Sequence, residues 1–139
     1  MLAALIPIGE SLESTGATDL IAGGILDLAG DMSIVWILVI LMVISMVLAD
    51  LVHNSPTAIL MAPIALALSV AFEMSPDAFL MAVAVGAASP YLTPVGHQSN
   101  TLVMGPGGYR FGDYWRMGLP LDVLIVAVAV PMIMWVWVP

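Results

Sequence analysis

The run Thr93-Pro94-Val95-Gly96-His97-Gln98-Ser99-Asn100-Thr101 decides how this chain folds. It is crowded with helix breakers and hydrogen-bonding side chains, yet it lies in the middle of 32 residues, Ala78 to Tyr109, that carry no charge. A chargeless stretch of that length belongs in hydrocarbon, where an unpaired backbone group is costly. Irregular backbone at that depth must be buried in protein or line a polar cavity.

The helix that leads into this run is expected to start near Pro76, a favourable first helical residue behind the cap Ser75, and to reach about Ala88 before Pro90 disturbs it. That is about 20 Å of helix, short of the roughly 30 Å hydrocarbon core. A further piece, Thr101–Met104, completes the crossing before the loop Gly105-Pro106-Gly107-Gly108. Residues 76–106 therefore read as a discontinuous helix.

Upstream, Met32–Ala49 is uncharged and long enough for nearly a full span, about 27 Å. The polar knot Asp50-Leu51-Val52-His53-Asn54-Ser55-Pro56-Thr57 follows, and then the uncharged arm Ala58–Phe72. Residues 32–73 are predicted to form a helical hairpin with a polar tip, either crossing fully or stopping at mid-depth as a re-entrant hairpin. Residues 1–31 read as the end of a truncated span up to Ile8, then an acidic loop and a short helix capped by Thr18. Residues 117–138 read as a terminal transmembrane helix framed by Tyr114, Trp115, Trp135 and Trp137. The expected fold is thus an all-α polytopic membrane protein: a re-entrant helical hairpin, a discontinuous transmembrane helix and a terminal transmembrane helix.

Composition agrees. The chain is 62% hydrophobic and 9% charged, and its mean hydropathy is +1.12, far from the roughly 25% charged fraction of a soluble domain. In 139 residues there is room for only a few spans, too few to enclose a solute path, so the chain is expected to oligomerise or to be a fragment. Ten acidic residues against two basic ones leave no basic cluster for nucleic acid, which is excluded as a partner. With no cysteine, thiolate metal sites and thiol nucleophiles are excluded too. Both basic residues, Arg110 and Arg116, fall between the broken helix and the last span. The positive-inside rule makes that loop cytoplasmic, puts the C-terminus outside, and has the hairpin enter from the outer face.

Two intramembrane breaks then face each other as a candidate site. A half-helix ending in the membrane presents free carbonyls that suit a cation, and the N-terminus of the next presents N–H groups that suit an anion. Secondary transporters bind substrate and coupling ion at paired breaks of this kind. At the first break Asn54, Ser55 and Thr57 offer amide and hydroxyl ligands; at the second Thr93, Ser99 and Asn100 do so, and Gly96 lets the backbone approach a bound group. The plainer alternatives are that Asn54 or Ser55 merely caps a helix and that the break at Thr93–Thr101 is only a kink. His53, His97 and Asp50 are candidates for a proton or anion role. Two histidines and one carboxylate make a poor transition-metal set, so none is expected, nor any cofactor beyond sodium as coupling ion. Ser99 lacks a nucleophile elbow, so enzyme chemistry is not expected.

At these breaks the chain resembles the divalent anion:sodium symporter family of the ion transporter superfamily. The matching stretches are His53-Asn54-Ser55-Pro56-Thr57-Ala58-Ile59-Leu60-Met61-Ala62-Pro63-Ile64 and Thr93 through Phe111. The stretch from Thr93 to Phe111 is similar to the signature of bacterial permeases of this family that often carry cytosolic TrkA-C domains. The resemblance places the family's Ser-Asn-Thr tip motif on His53-Asn54-Ser55, not on the literal Ser99-Asn100-Thr101, and its Thr-Pro motif on Thr93-Pro94. His53 and Ser55 depart from that motif, so sulfate or another small oxyanion joins the dicarboxylates as a candidate substrate. The resemblance further implies that the chain is the C-terminal repeat of a bacterial inner-membrane permease. Its missing partner is an inverted N-terminal repeat; the whole is a homodimer with elevator-like movement. With the motifs so placed, the substrate ligands expected are Asn54, Ser55, Thr57, Thr93 and Pro94, the sodium ligands expected are Asn54, Thr93, Gly96 and Asn100, and the function expected is sodium-coupled uptake of a small divalent anion. The alternatives are a proton-coupled exporter or antiporter of the same superfamily, and a non-transporting membrane subunit or truncated gene product.

Overall fold

The structure, a computed structural model, describes residues 14–29 and 33–138 together with positions 7 and 11. The truncated span expected before residue 9 lies almost wholly outside the described residues. Among those described, every regular element is helical: α1 Ala17–Ala29, α2 Ile34–Val52, α3 Asn54–Ala71, α4 Pro76–Ala87, α5 Gln98–Met104 and α6 Phe111–Trp137. Three of them, α2, α3 and α6, are long and apolar enough to cross a membrane.

α1 is not capped by Thr18. The helix opens one residue earlier, where Gly16, at φ +72°, offers its carbonyl to the Leu20 N–H at 3.1 Å. Only a residue without a Cβ takes that left-handed backbone freely. Thr18 instead lies buried inside the first turn.

α2 is apolar on every side, as a helix immersed in lipid or protein must be. One residue, His53, joins it to α3, so the hairpin tip is tighter than the eight-residue polar knot suggests. Its backbone sits at φ 79° and ψ 163°, a region otherwise nearly restricted to glycine that costs about 1–3 kcal/mol. Two local bonds hold it there: its N–H donates to the Ala49 carbonyl at 3.1 Å, and its own carbonyl accepts the Thr57 hydroxyl at 2.9 Å.

α4 packs against both arms of the hairpin. Gly86 makes the closest approach possible: a Cβ there would stand 2.7 Å from the Met42 carbonyl oxygen and 2.8 Å from Ser45 Cβ. The core gathers Ile37, Leu38, Leu41 and Met42 of α2, Leu68 of α3, and Phe79 of α4, all fully buried, and α6 closes it with Val130 and Ile133. Hydroxyls inside this apolar bundle bond back to their own helices, Ser45 to the Leu41 carbonyl and Ser89 to the Val85 carbonyl, each at 2.8 Å.

α4 begins where expected, with Ser75 Oγ accepting the Asp77 N–H at 3.4 Å, and stops at Ala87. The helix resumes at Gln98, three residues earlier than the expected Thr101, because the His97 ring nitrogen Nδ1 accepts the Ser99 N–H at 3.1 Å and caps it. α6 likewise starts at Phe111, six residues before the expected Met117. The Asp113 carboxylate there accepts the Arg110 N–H at 2.7 Å, and the Arg110 carbonyl accepts the Asp113 N–H at 2.9 Å. Arg116 is therefore on a helix and not in a loop.

Candidate functional site

The end of α2 and the hairpin tip dock on the unwound segment 88–97. Asp50, in the last turn of α2, accepts the Thr93 N–H at 3.1 Å, and the Leu92 N–H lies beside it. The Thr93 hydroxyl reaches the Asp50 carbonyl at 3.2 Å and its Oδ1 at 3.4 Å, and accepts the Gly96 N–H at 3.2 Å. Three residues further along both segments, the His53 ring nitrogen Nδ1 meets the Gly96 carbonyl at 3.2 Å. Gly96 permits this closeness: a Cβ would lie 2.8 Å from Asp50 Oδ1 and 2.7 Å from Pro90 Cβ.

Another set of bonds stabilises the break from the α5 side. The Asn100 side-chain amide donates to the carbonyls of Pro90 at 3.2 Å and Thr93 at 3.3 Å, while the Thr101 hydroxyl donates to the Pro94 carbonyl at 2.7 Å. Tyr114 of α6 donates to the Asn100 carbonyl at 2.7 Å. Backbone groups freed by unwinding are thus met by side chains of the same region, the arrangement that a lipid setting would require.

The expected site residues divide accordingly. Asp50, His53, Thr93, Gly96 and Asn100 are brought into one hydrogen-bonded network. Asn54 sits next to it with Oδ1 buried and without a partner, an acceptor free to meet a ligand. Thr57 is fully buried and its hydroxyl is engaged by the His53 carbonyl; Pro94 is buried. Ser55 and His97 are exposed, the latter occupied in capping α5. No group of three or more metal-ligating side chains exists among the described residues.

On the far side of the break lies a half-open cleft of about 430 Å³, lined by Tyr91, Asn100, Tyr109, Tyr114, Met117 and Leu121 among others. It touches none of the tip residues. The cleft meets the polar network at Asn100, and the network, with the buried unpartnered oxygens beside it, is the better candidate for ion and anion binding.

One residue escapes the sequence argument. Asp122 of α6 is 7% exposed with Oδ1 unpartnered, and it lies near enough to Asp50 for the two carboxylates to interact electrostatically. The signal was present: Asp122 is the only charge between Met117 and Trp137, and an acid within a span is a functional candidate by default.

Over 133 residues, 96% of this chain, it is 38% identical to the uncharacterized transporter YfbS of Escherichia coli, of which it covers 22%. It is 26% identical over 129 residues to sodium/sulfate cotransporter 2 of Chlamydomonas reinhardtii, covering 92% of this chain and 15% of that protein. It is 31% identical over 96 residues to the sodium-dependent dicarboxylate transporter SdcS of Staphylococcus saprophyticus, covering 67% of this chain and 18% of that protein. The chain thus spans about a fifth of the length of the curated relatives it matches. Helices of spanning length and transporter relatives together make it an integral membrane protein. The model of the citrate transporter family, CitMHS, matches residues 1–139, and the chain belongs to that family.

Proposed function

We propose that these residues form the C-terminal repeat of a sodium-coupled permease for a small divalent anion, sulfate or a dicarboxylate. The observation that carries this reading is the docking of a one-residue hairpin tip on an unwound helix, with Asn54 Oδ1 left buried and unpartnered beside it. In this reading, Asn54, Ser55 and Thr57 face Thr93 and Pro94. Carbonyl and amide oxygens around Asn54, Thr93, Gly96 and Asn100 hold sodium, and N–H groups at the start of α3 receive the anion. Sodium supplies the positive charge, since neither break contains a lysine or arginine. The printed names of the relatives, sodium/sulfate and sodium-dependent dicarboxylate transporters, favour the same ion and substrate classes.

Over three quarters of each of those relatives lies outside the matched region. That length accommodates an inverted N-terminal repeat with its own hairpin, and TrkA-C domains. The whole protein is then a homodimer in a bacterial inner membrane, with its hairpin re-entrant from the outer face and its C-terminus outside. Asn54→Ala in the complete protein tests the site. Uptake of labelled sulfate, succinate or citrate that depends on sodium should disappear, and uptake at the wild-type rate refutes the assignment. Uptake that follows pH and ignores sodium would instead establish the proton-coupled reading.

A further inference from the structure

Asp50 and Asp122 come from helices far apart in sequence, α2 and α6, yet both helices pack on one short piece of unwound chain. Asp50 reaches Leu92 and Thr93 from the α2 side. Gly118 of α6 is pressed so closely on the Tyr91 carbonyl and the Leu92 nitrogen that a Cβ there would collide with the Tyr91 oxygen. Asp122 is four residues beyond Gly118, one helical turn along the same face, and its carboxylate feels that of Asp50.

Both side chains are more than nine-tenths buried, at 4% and 7% exposure. Each keeps one oxygen, Asp50 Oδ2 and Asp122 Oδ1, with no hydrogen-bond donor. Thr93 serves only the other Asp50 oxygen and its main chain. The chain's two basic side chains give no relief, since Arg110 and Arg116 are both exposed. Two like charges taken out of water without a counter-ion cost several kcal/mol per ion, and bare acceptor oxygens add to that. Acceptors without donors call for a cation. A small, hard one suits carboxylate oxygens, and one with several ligand positions can take both oxygens at once.

We propose that Asp50 and Asp122 bind one sodium ion between the hairpin, the unwound segment and α6, a cation site separate from the Asn54 tip. It deepens the sodium-coupled reading above and rests on it for its role in transport: bound sodium would tie α6 to the hairpin and offset one of the pair's two charges.

The test uses the complete protein in detergent, with thermal unfolding followed as sodium chloride replaces choline chloride at constant ionic strength and one alkaline pH. Sodium should raise the Tm of the wild type with a saturable midpoint. Asp122→Asn and Asp50→Asn should each shift that midpoint upward by roughly tenfold or more. In choline both variants should be at least as stable as the wild type, because one of two buried charges is gone. Asp122→Glu, which keeps the charge, should retain the sodium response. The proposal is overturned by midpoints within twofold of wild type, by choline stabilising as well as sodium, or by Asn variants less stable than wild type in choline. An Asn54→Ala protein that keeps anion uptake overturns the tip assignment alone, and an unchanged midpoint in the Asp variants overturns the pair alone.

Discussion

Replacing Gly96 with Ala probes whether the hairpin tip must sit on the unwound segment. The new Cβ would stand 2.7 Å from Pro90 Cβ, 2.8 Å from Asp50 Oδ1 and 3.1 Å from Asp50 Cα, where carbon atoms normally meet at about 3.5 Å or more. Pro90 is a buried ring and Asp50 Cα is backbone, so neither can swing aside and the tip must retreat by roughly 0.5–1 Å. Such overpacking costs about 1–3 kcal/mol. The retreat also stretches the 3.1 Å Thr93 N–H bond to the Asp50 carboxylate, and a bond to a charged group contributes about 1.5–3 kcal/mol. With that bond weakened and not lost, the docked state gives up about 2–5 kcal/mol in all, roughly 30-fold to several-thousand-fold in the docking equilibrium. The assay is sodium-dependent anion uptake by cells making the complete protein, normalised to its abundance in the membrane. Uptake should fall at least about 30-fold, while Gly105→Ala, whose added Cβ meets nothing within 4 Å, should leave it unchanged. Gly96→Ala uptake within twofold of the wild type would refute the idea that close contact at the break is needed.

Two further substitutions examine the frame around the site. Thr93→Val removes the hydroxyl that bonds Asp50 and leaves the Gly96 N–H without its acceptor, a loss of about 1–3 kcal/mol. Its Tm should drop while that of Thr93→Ser stays close to wild type; equal melting of the two variants would show that the hydroxyl does not matter. Gly86→Ala drives a Cβ against the Met42 carbonyl and Ser45 Cβ, prying α4 from α2 at a cost of about 1–3 kcal/mol. A Tm equal to wild type would mean that the two helices have room to part.

Much of the architecture was legible because lipid makes long apolar runs unambiguous. The arms of the hairpin, the short α4 and the break after it all follow from where charge and helix breakers interrupt hydrophobic sequence. Boundaries set by capping were less legible. Nothing in the order Pro94-Val95-Gly96-His97 announces that the His97 ring will cap α5. The start of α6 at Phe111 depends on an Asp113 carboxylate folding back on Arg110. Thr18 has the chemistry of a cap, but the positive φ of Gly16 moves the start of α1 and buries the threonine.

The sequence alone determined that this chain lies in a membrane, that its helices are interrupted at two polar places, and which side chains stand there. Periodicity and hydrophobic length suffice for that, since every free backbone group in hydrocarbon must be explained by a local breaker. Which residues meet was decided only by the tertiary structure. Asp50 pairs with Thr93, and His53 with Gly96, because α4 wedges beside both arms and brings residues 43 apart into hydrogen-bond range. Asp122 becomes a neighbour of Asp50 because Gly118 lets α6 press on the Tyr91 backbone. Such contacts depend on the depth and rotation at which helices pack, and in a chain this uniformly apolar no one-dimensional pattern specifies which faces meet.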